Sequence, residues 1–196
     1  MKKTLSLLIV AAVAMTALVA APKSKKNASA EPAQPVSVKF SAETFGDDAQ
    51  TLQDHVYNED GSVTYTAGFK YGGGGTSFLI NGKNGISAKQ YKTVHVEFDW
   101  EVSEENWSNP NAVPKFKIIG FGPGSSFYQG GDALNPTYFD ATSQSGSTAI
   151  DIDISGQSKK VTKIGVMVNA WRWIEDNGGS EDDLVKITVK NITFLP

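Results

Sequence analysis

Thr93-Val94-His95-Val96-Glu97-Phe98-Asp99-Trp100-Glu101-Val102 alternates without a break, with Val94, Val96, Phe98, Trp100 and Val102 on one side and His95, Glu97, Asp99 and Glu101 on the other. A period of two is that of an extended strand with one dry and one wet face. Ile150, Ile152 and Ile154 repeat the pattern with Asp151 and Asp153 outside, as do Val185, Ile187 and Val189. The phase then slips: Ile192 and Phe194 stand one register off from Val189, which predicts a bulge near Lys190 and Asn191. Outward from these runs the spacing predicts strands near 36–40, 53–57, 62–69, 76–81, 92–102, 114–121, 125–129, 148–154, 161–171 and 184–195, divided by Gly, Asn, Asp and Ser clusters. Asn58-Glu59-Asp60-Gly61 reads as a hairpin turn. No helical period separates the strands, so the expected fold is all-β: an antiparallel two-sheet sandwich, most simply a jelly roll.

The amino terminus has a different character. Met1-Lys2-Lys3 and the apolar run Leu5 to Ala21 have the charged start and hydrophobic centre of a bacterial secretory signal, and Ala28-Ser29-Ala30 offers a small-x-small cleavage site. The run also approaches the length of an uncleaved membrane anchor. The expected layout is a signal peptide over 1–30, a short linker over 31–35 and one sandwich domain over 36–196, released outside the cell as a monomer. Cleavage after Ala30 would remove five of the 18 basic residues, leaving 13 against 21 acids and a net charge of −8. That balance argues against nucleic acid and anionic membrane surfaces as partners. The chain has no cysteine, so an exported form depends on its core alone.

Candidate ligand-binding residues cluster in Val161 to Trp173. Read as a strand, this stretch places Ile164, Val166, Val168 and Ala170 on the core face and Met167, Asn169, Trp171 and Trp173 on the other, beside Arg172, the chain's only arginine. A sugar ring stacks its C–H face on an indole and needs amide, carboxylate or guanidinium partners for its hydroxyls. Trp171, Trp173 and Trp107, the last in the loop Ser103 to Pro114, are therefore expected stacking platforms. Asn169, Arg172, Glu97 and Asp99 are expected hydrogen-bonding partners, with Tyr71 and Tyr128 as further contacts. The strand Thr93 to Glu101 would form the companion wall of the groove, and the loop bearing Trp107 its lip.

Other patterns allow other readings. Glu97, Asp99 and Glu101 lie at alternate positions, about 6.8 Å apart along a strand, so leaning carboxyls could approach the separation of a retaining glycosidase. The acidic loop Glu175 to Asp183 is either a solvated charged loop or a calcium site, without the spacing of an EF-hand. His55 and His95 lack the companions of a transition-metal site, and Gly72 to Gly75 lack the Lys-Ser/Thr of a phosphate loop. No catalytic residue, cofactor or metal is expected from the residues themselves.

Gly61-Ser62-Val63-Thr64-Tyr65, Tyr91-Lys92-Thr93-Val94, Val161-Thr162-Lys163-Ile164-Gly165-Val166 and Ile187-Thr188-Val189-Lys190-Asn191-Ile192 together resemble the jelly-roll carbohydrate-binding modules attached to bacterial plant-cell-wall glycosidases. The resemblance implies a non-catalytic module that binds β-glucan, mannan or xylan in a sheet-face groove or at the loop end. It also implies a structural calcium between the first and last strands, held by an Asp near the position occupied here by Lys190; this departure suggests that Lys190 instead pairs with Glu43. The Glu-x-Asp-x-Glu strand separately resembles that of jelly-roll β-glucanases, with Glu97 as nucleophile, Asp99 as supporting acid and Glu101 as general acid. A third reading is an envelope module whose tryptophans meet a protein partner.

Overall fold

In the computed structural model the alternation at 93–102 becomes β7 (Thr93–Val102), whose five apolar side chains are all buried while Glu101 is exposed. The structure describes residues 33–44, 52–69, 75–81, 84–122, 136–155 and 160–196. β7 lies between β10 (Ser145–Asp153) and β13 (Leu184–Leu195), and the first sheet continues from β13 to β4 (Val63–Gly68) and β3 (Leu52–Tyr57). The short β1 (Val36–Ser37) pairs with the far end of β13. The second sheet runs β2 (Phe40–Thr44), β5 (Gly75–Ile80), β12 (Lys163–Val168), β8 (Lys115–Phe121) and β9 (Thr137–Asp140). β6 (Ile86–Ser87) and β11 (Lys160–Val161) form a separate two-stranded ribbon. Each of these pairings is antiparallel, and the chain crosses repeatedly between the sheets, giving the expected jelly-roll sandwich.

The dry faces meet in one core. Phe98 and Trp100 of the first sheet pack on Phe116 and Phe139 of the second, with ring centroids 5.3 Å apart for Phe98 and Phe116 and 5.4 Å for Trp100 and Phe139. Each fully buried side chain of this size contributes roughly 1.5–3 kcal/mol. Tyr65 is buried and donates its hydroxyl to the Val166 carbonyl at 2.9 Å, tying β4 to β12 across the core.

The bulge falls where the phase slip predicts it. Val189 pairs with Phe98 and Asn191 with Glu97, leaving Lys190 as the extra residue. At the predicted hairpin, Gly61 adopts φ 87°, and its N–H reaches the Asn58 carbonyl at 3.0 Å. Two expectations change. The strand predicted over 161–171 is divided by Thr162 and stops at Val168, and Ala170–Asn177 is helix α1. Two short strands, β6 and β9, have too few residues to show a period. The strand expected at 125–129 lies outside the described residues.

Candidate functional site

The change at Val168 reorganises the expected site. Asn169 keeps an extended backbone, and its carbonyl accepts the first helical bond, from the Trp173 N–H at 3.0 Å. α1 closes at Gly178, which takes the left-handed conformation (φ 62°) that glycine adopts without steric penalty, and the Gly178 and Gly179 amides both return to the Trp173 carbonyl. Helical spacing takes positions 171 and 173 off a common face. Trp173 is 0% exposed, not a surface platform. Its ring lies 4.2 Å from Trp107 and 5.1 Å from Phe69, centroid to centroid. Trp107 is itself half-buried and gives its indole N–H to the Ala112 carbonyl at 3.2 Å. The two indoles expected to meet ligand instead close one end of the core.

A buried carboxylate holds this end together. Asp183 is 1% exposed. Its Oδ1 accepts the Ser108 amide at 2.7 Å, and its Oδ2 accepts the Ser108 hydroxyl at 2.8 Å, the Trp173 indole at 2.7 Å and the Ser180 amide at 2.7 Å. The last acid of the Glu175 to Asp183 loop is thus committed to protein donors, while Glu175, Asp176, Glu181 and Asp182 are exposed. Asn169 is nearly buried at 9% exposure. The side chain of Trp171, in the first turn of α1, lies outside what the structure describes, as do Tyr71 and Tyr128 altogether.

The proposed two-walled groove does not form. β7 belongs to the first sheet and β12 to the second, so the outer faces carrying Glu97 and Asp99 on the one hand and Met167 on the other look away from each other across the sandwich. The acids of β7 are also partnered within the chain. Glu97 Oε1 accepts from Asn191 Nδ2 at 3.1 Å, and Glu101 Oε2 lies 3.3 Å from Lys186 Nζ. Asp99 Oδ1 meets Lys190 Nζ at 2.6 Å and accepts the Ser147 hydroxyl. Partial burial pushes the Asp99 carboxyl up, but the Lys190 and Ser147 hydrogen bonds and the ammonium charge outweigh it and leave it below the usual range. Lys190 pairs with Asp99 on the outer face of the first sheet; Glu43 belongs to β2 in the second, and its side chain lies outside what the structure describes. His95 Nδ1 meets Asp151 at 2.6 Å on the same acidic face.

The outer face of the second sheet presents a different set. Register aligns Met167 with Lys117 and Lys117 with Tyr138, and aligns Lys115 with Asp140 in the next row. Met167 and Ile119 are buried, and desolvation lowers the Lys117 pKa. Tyr138 at the edge is 50% exposed. Arg172 reaches from α1 across to β9: its guanidinium carbon stands 5.9 Å from the Tyr138 ring centroid, and its Nη2 donates to Asp140 Oδ2 at 2.8 Å. Lys115 Nζ lies 3.0 Å from the same oxygen. Of the expected site residues, Arg172 is thus joined to an aromatic surface, but the ring is Tyr138. In Thr137-Tyr138-Phe139-Asp140, Tyr138 and Asp140 are two apart and share a face while Phe139 packs against the core, but four residues are too few to show this as a period in the sequence.

At its β9 edge this face offers an exposed flat ring, a fork of donors and a carboxylate held between the Arg172 and Lys115 cations. Such a set stacks on and hydrogen-bonds a hydroxylated ring.

The sequence matches no family model and no curated protein. Among solved structures it is similar to the low-affinity xylan-binding module CBM86 from Roseburia intestinalis, at 14% identity over 82% of this chain and 92% of that one with a TM-score of 0.44. It is also similar to CBM28, a module specific for non-crystalline cellulose, at 9% identity over 78% and 92% with a TM-score of 0.46. A third similar structure is TmCBM61 in complex with β-1,4-galactotriose, at 12% identity over 79% and 88% with a TM-score of 0.39.

Proposed function

We propose that this chain is an exported, non-catalytic module that binds a neutral plant-type polysaccharide on the outer face of its second sheet. Tyr138 is the stacking platform; Arg172, Asp140, Lys115 and Lys117 are its polar partners. The carrying observation is the half-exposed Tyr138 ring with the Arg172 guanidinium 5.9 Å from its centroid and tied to Asp140. A tethered guanidinium has already given up much of its rotamer freedom, so it loses less on meeting a ligand. Trp171, the neighbour of Arg172, is kept as a contact residue in this proposal.

Intrachain partners on Glu97, Asp99 and Glu101 support binding over hydrolysis. A shallow face gains little beyond the cost of ordering a glycan, so affinity is expected to be weak. Affinity electrophoresis in gels containing β-glucan, mannan or xylan tests the reading. The parent should be retarded in at least one gel and Tyr138→Ala should run free in it; equal retardation of the two would refute the site. Trp171→Ala belongs in the same gels. Reducing-sugar release by the parent that disappears in Glu97→Gln would establish the hydrolase instead. Recovery of the protein from culture medium with Glu31 as its first residue tests export and cleavage.

A further inference from the structure

Where β7 leaves the first sheet, the chain makes a tight turn over Glu104–Asn106, and Gln144 leads into β10 beside it. Between them, on the outer face of the first sheet, lies a trough of about 580 Å³ lined by Thr66, Glu101, Asn106, Gln144, Leu184 and Lys186 among others. A smaller hollow of about 220 Å³ shares Glu101 and Lys186 and extends along the sheet to Asp99 and Thr188. The larger volume falls within the roughly 300–1,000 Å³ of small-ligand sites.

We propose that this trough is a second glycan site, independent of the Tyr138 face and resting on the same reading of the protein as a polysaccharide binder. Its chemistry differs. Among the described residues the lining has no exposed aromatic ring, so it takes a sugar by its rim of hydroxyls. Glu101 and Lys186 supply an acceptor and a donor; their contact is 3.3 Å long and both side chains are more than half exposed, at 64% and 57%, so the pair can exchange for hydroxyl partners at little cost. Two rim amides are already held: Gln144 Nε2 donates to the Pro110 carbonyl at 2.7 Å, and Asn106 Nδ2 donates to Ser103 Oγ at 3.3 Å. Such restraint reduces the entropy lost on binding. Leu184 adds apolar surface. With Glu101 and Glu104 against Lys186, the trough prefers neutral sugars to uronates or sulfated chains.

The two sites lie on opposite outer faces of one sandwich, so one straight glycan segment cannot fill both. A single molecule would then join two chains, or two distant parts of one chain, gaining avidity from geometry alone.

The test is titration of the ¹⁵N-labelled protein with cellohexaose, xylohexaose and mannohexaose in turn, following backbone amides by NMR. With at least one of these sugars, two separate groups should shift, one around Tyr138 and Arg172 and one around Glu101, Gln144 and Lys186. The double variant Glu101→Gln, Lys186→Met should weaken the second group's response at least tenfold and leave the first unchanged; Tyr138→Ala should do the reverse. A sugar that saturates the first group while none moves the second overturns the second site and leaves the proposed function standing. Silence in both groups overturns both. Response of the second group alone upholds the trough and removes the Tyr138 face.

Discussion

Replacing Asp183 with asparagine tests how the end of the sandwich below α1 is held. The carboxylate accepts from two backbone amides, a hydroxyl and an indole, and is shielded from water. Asparagine is nearly the same shape but substitutes an N–H₂ for one oxygen. Its least costly orientation keeps the carbonyl at the Oδ2 position, with three donors, and turns the N–H₂ toward the Ser108 amide. One buried N–H then has no acceptor, at about 1–3 kcal/mol, and three charge-assisted bonds weaken to neutral ones, at roughly 1 kcal/mol each before relaxation. These terms sum to about 4–6 kcal/mol, which relaxation lowers to an expected loss of about 3–5 kcal/mol, a large share of the ~5–15 kcal/mol typical of a folded domain. In urea, with a slope of roughly 2 kcal/mol per molar, the midpoint should fall by about 1.5–2.5 M. Tryptophan fluorescence reports it directly, because Trp173 donates to Asp183 and packs against Trp107. Trp173→Phe, which removes one donor and some ring area, should cost less. A loss under about 1 kcal/mol for Asp183→Asn would refute the account of this carboxylate as a charged hydrogen-bond hub.

Other outcomes follow from single contacts. Gly179→Ala should destabilise by about 1–3 kcal/mol in thermal or urea unfolding, since a Cβ there would stand 2.0 Å from Trp173 Nε1. Tyr65→Phe should cost roughly 1 kcal/mol by losing the hydroxyl bond to Val166 across the core. Lys190→Met should raise the Asp99 pKa toward the usual carboxylate range, measurable by NMR titration. Because the folded-state pKa of Asp99 is depressed, its stabilising contribution is present above the ordinary value of 3.8 and is lost as pH falls through the folded value. Parent and Lys190→Met should therefore differ in stability at neutral pH and converge in stronger acid. Arg172→Met should weaken glycan retention in the gel assay while changing the unfolding free energy in urea by no more than about 1 kcal/mol, as expected for a partly exposed ion pair.

Much of the fold was legible because sheet burial writes itself as a period of two. β7, β10 and β13 follow their alternation, the bulge sits at Lys190, and the Asn58 to Gly61 turn closes its hairpin. The candidate site was less legible. Asn169-Ala170-Trp171-Arg172-Trp173 continues the alternation of β12 closely enough to read as strand. What favours helix there is the glycine pair at Gly178 and Gly179, whose amides close the last turn, together with a packing place for Trp173 against Phe69 and Trp107. Tyr138 and Asp140 stand in a strand of four residues, too short to show a period.

By itself, then, the sequence determined which side of each long strand is dry and where the ladder must slip, because these depend on neighbours along the chain. Only the tertiary structure decided which wet faces look the same way. β7 and β12 each have a core side and an outer side, but strand crossovers place them in opposite sheets. That separated Glu97 and Asp99 from Arg172, gave Lys190 to Asp99, and took Trp173 into the core with the half-buried Trp107 packed against it. The physical reason is that alternation records burial, a local property of each strand. Sheet membership depends on long-range pairing, which no single strand encodes.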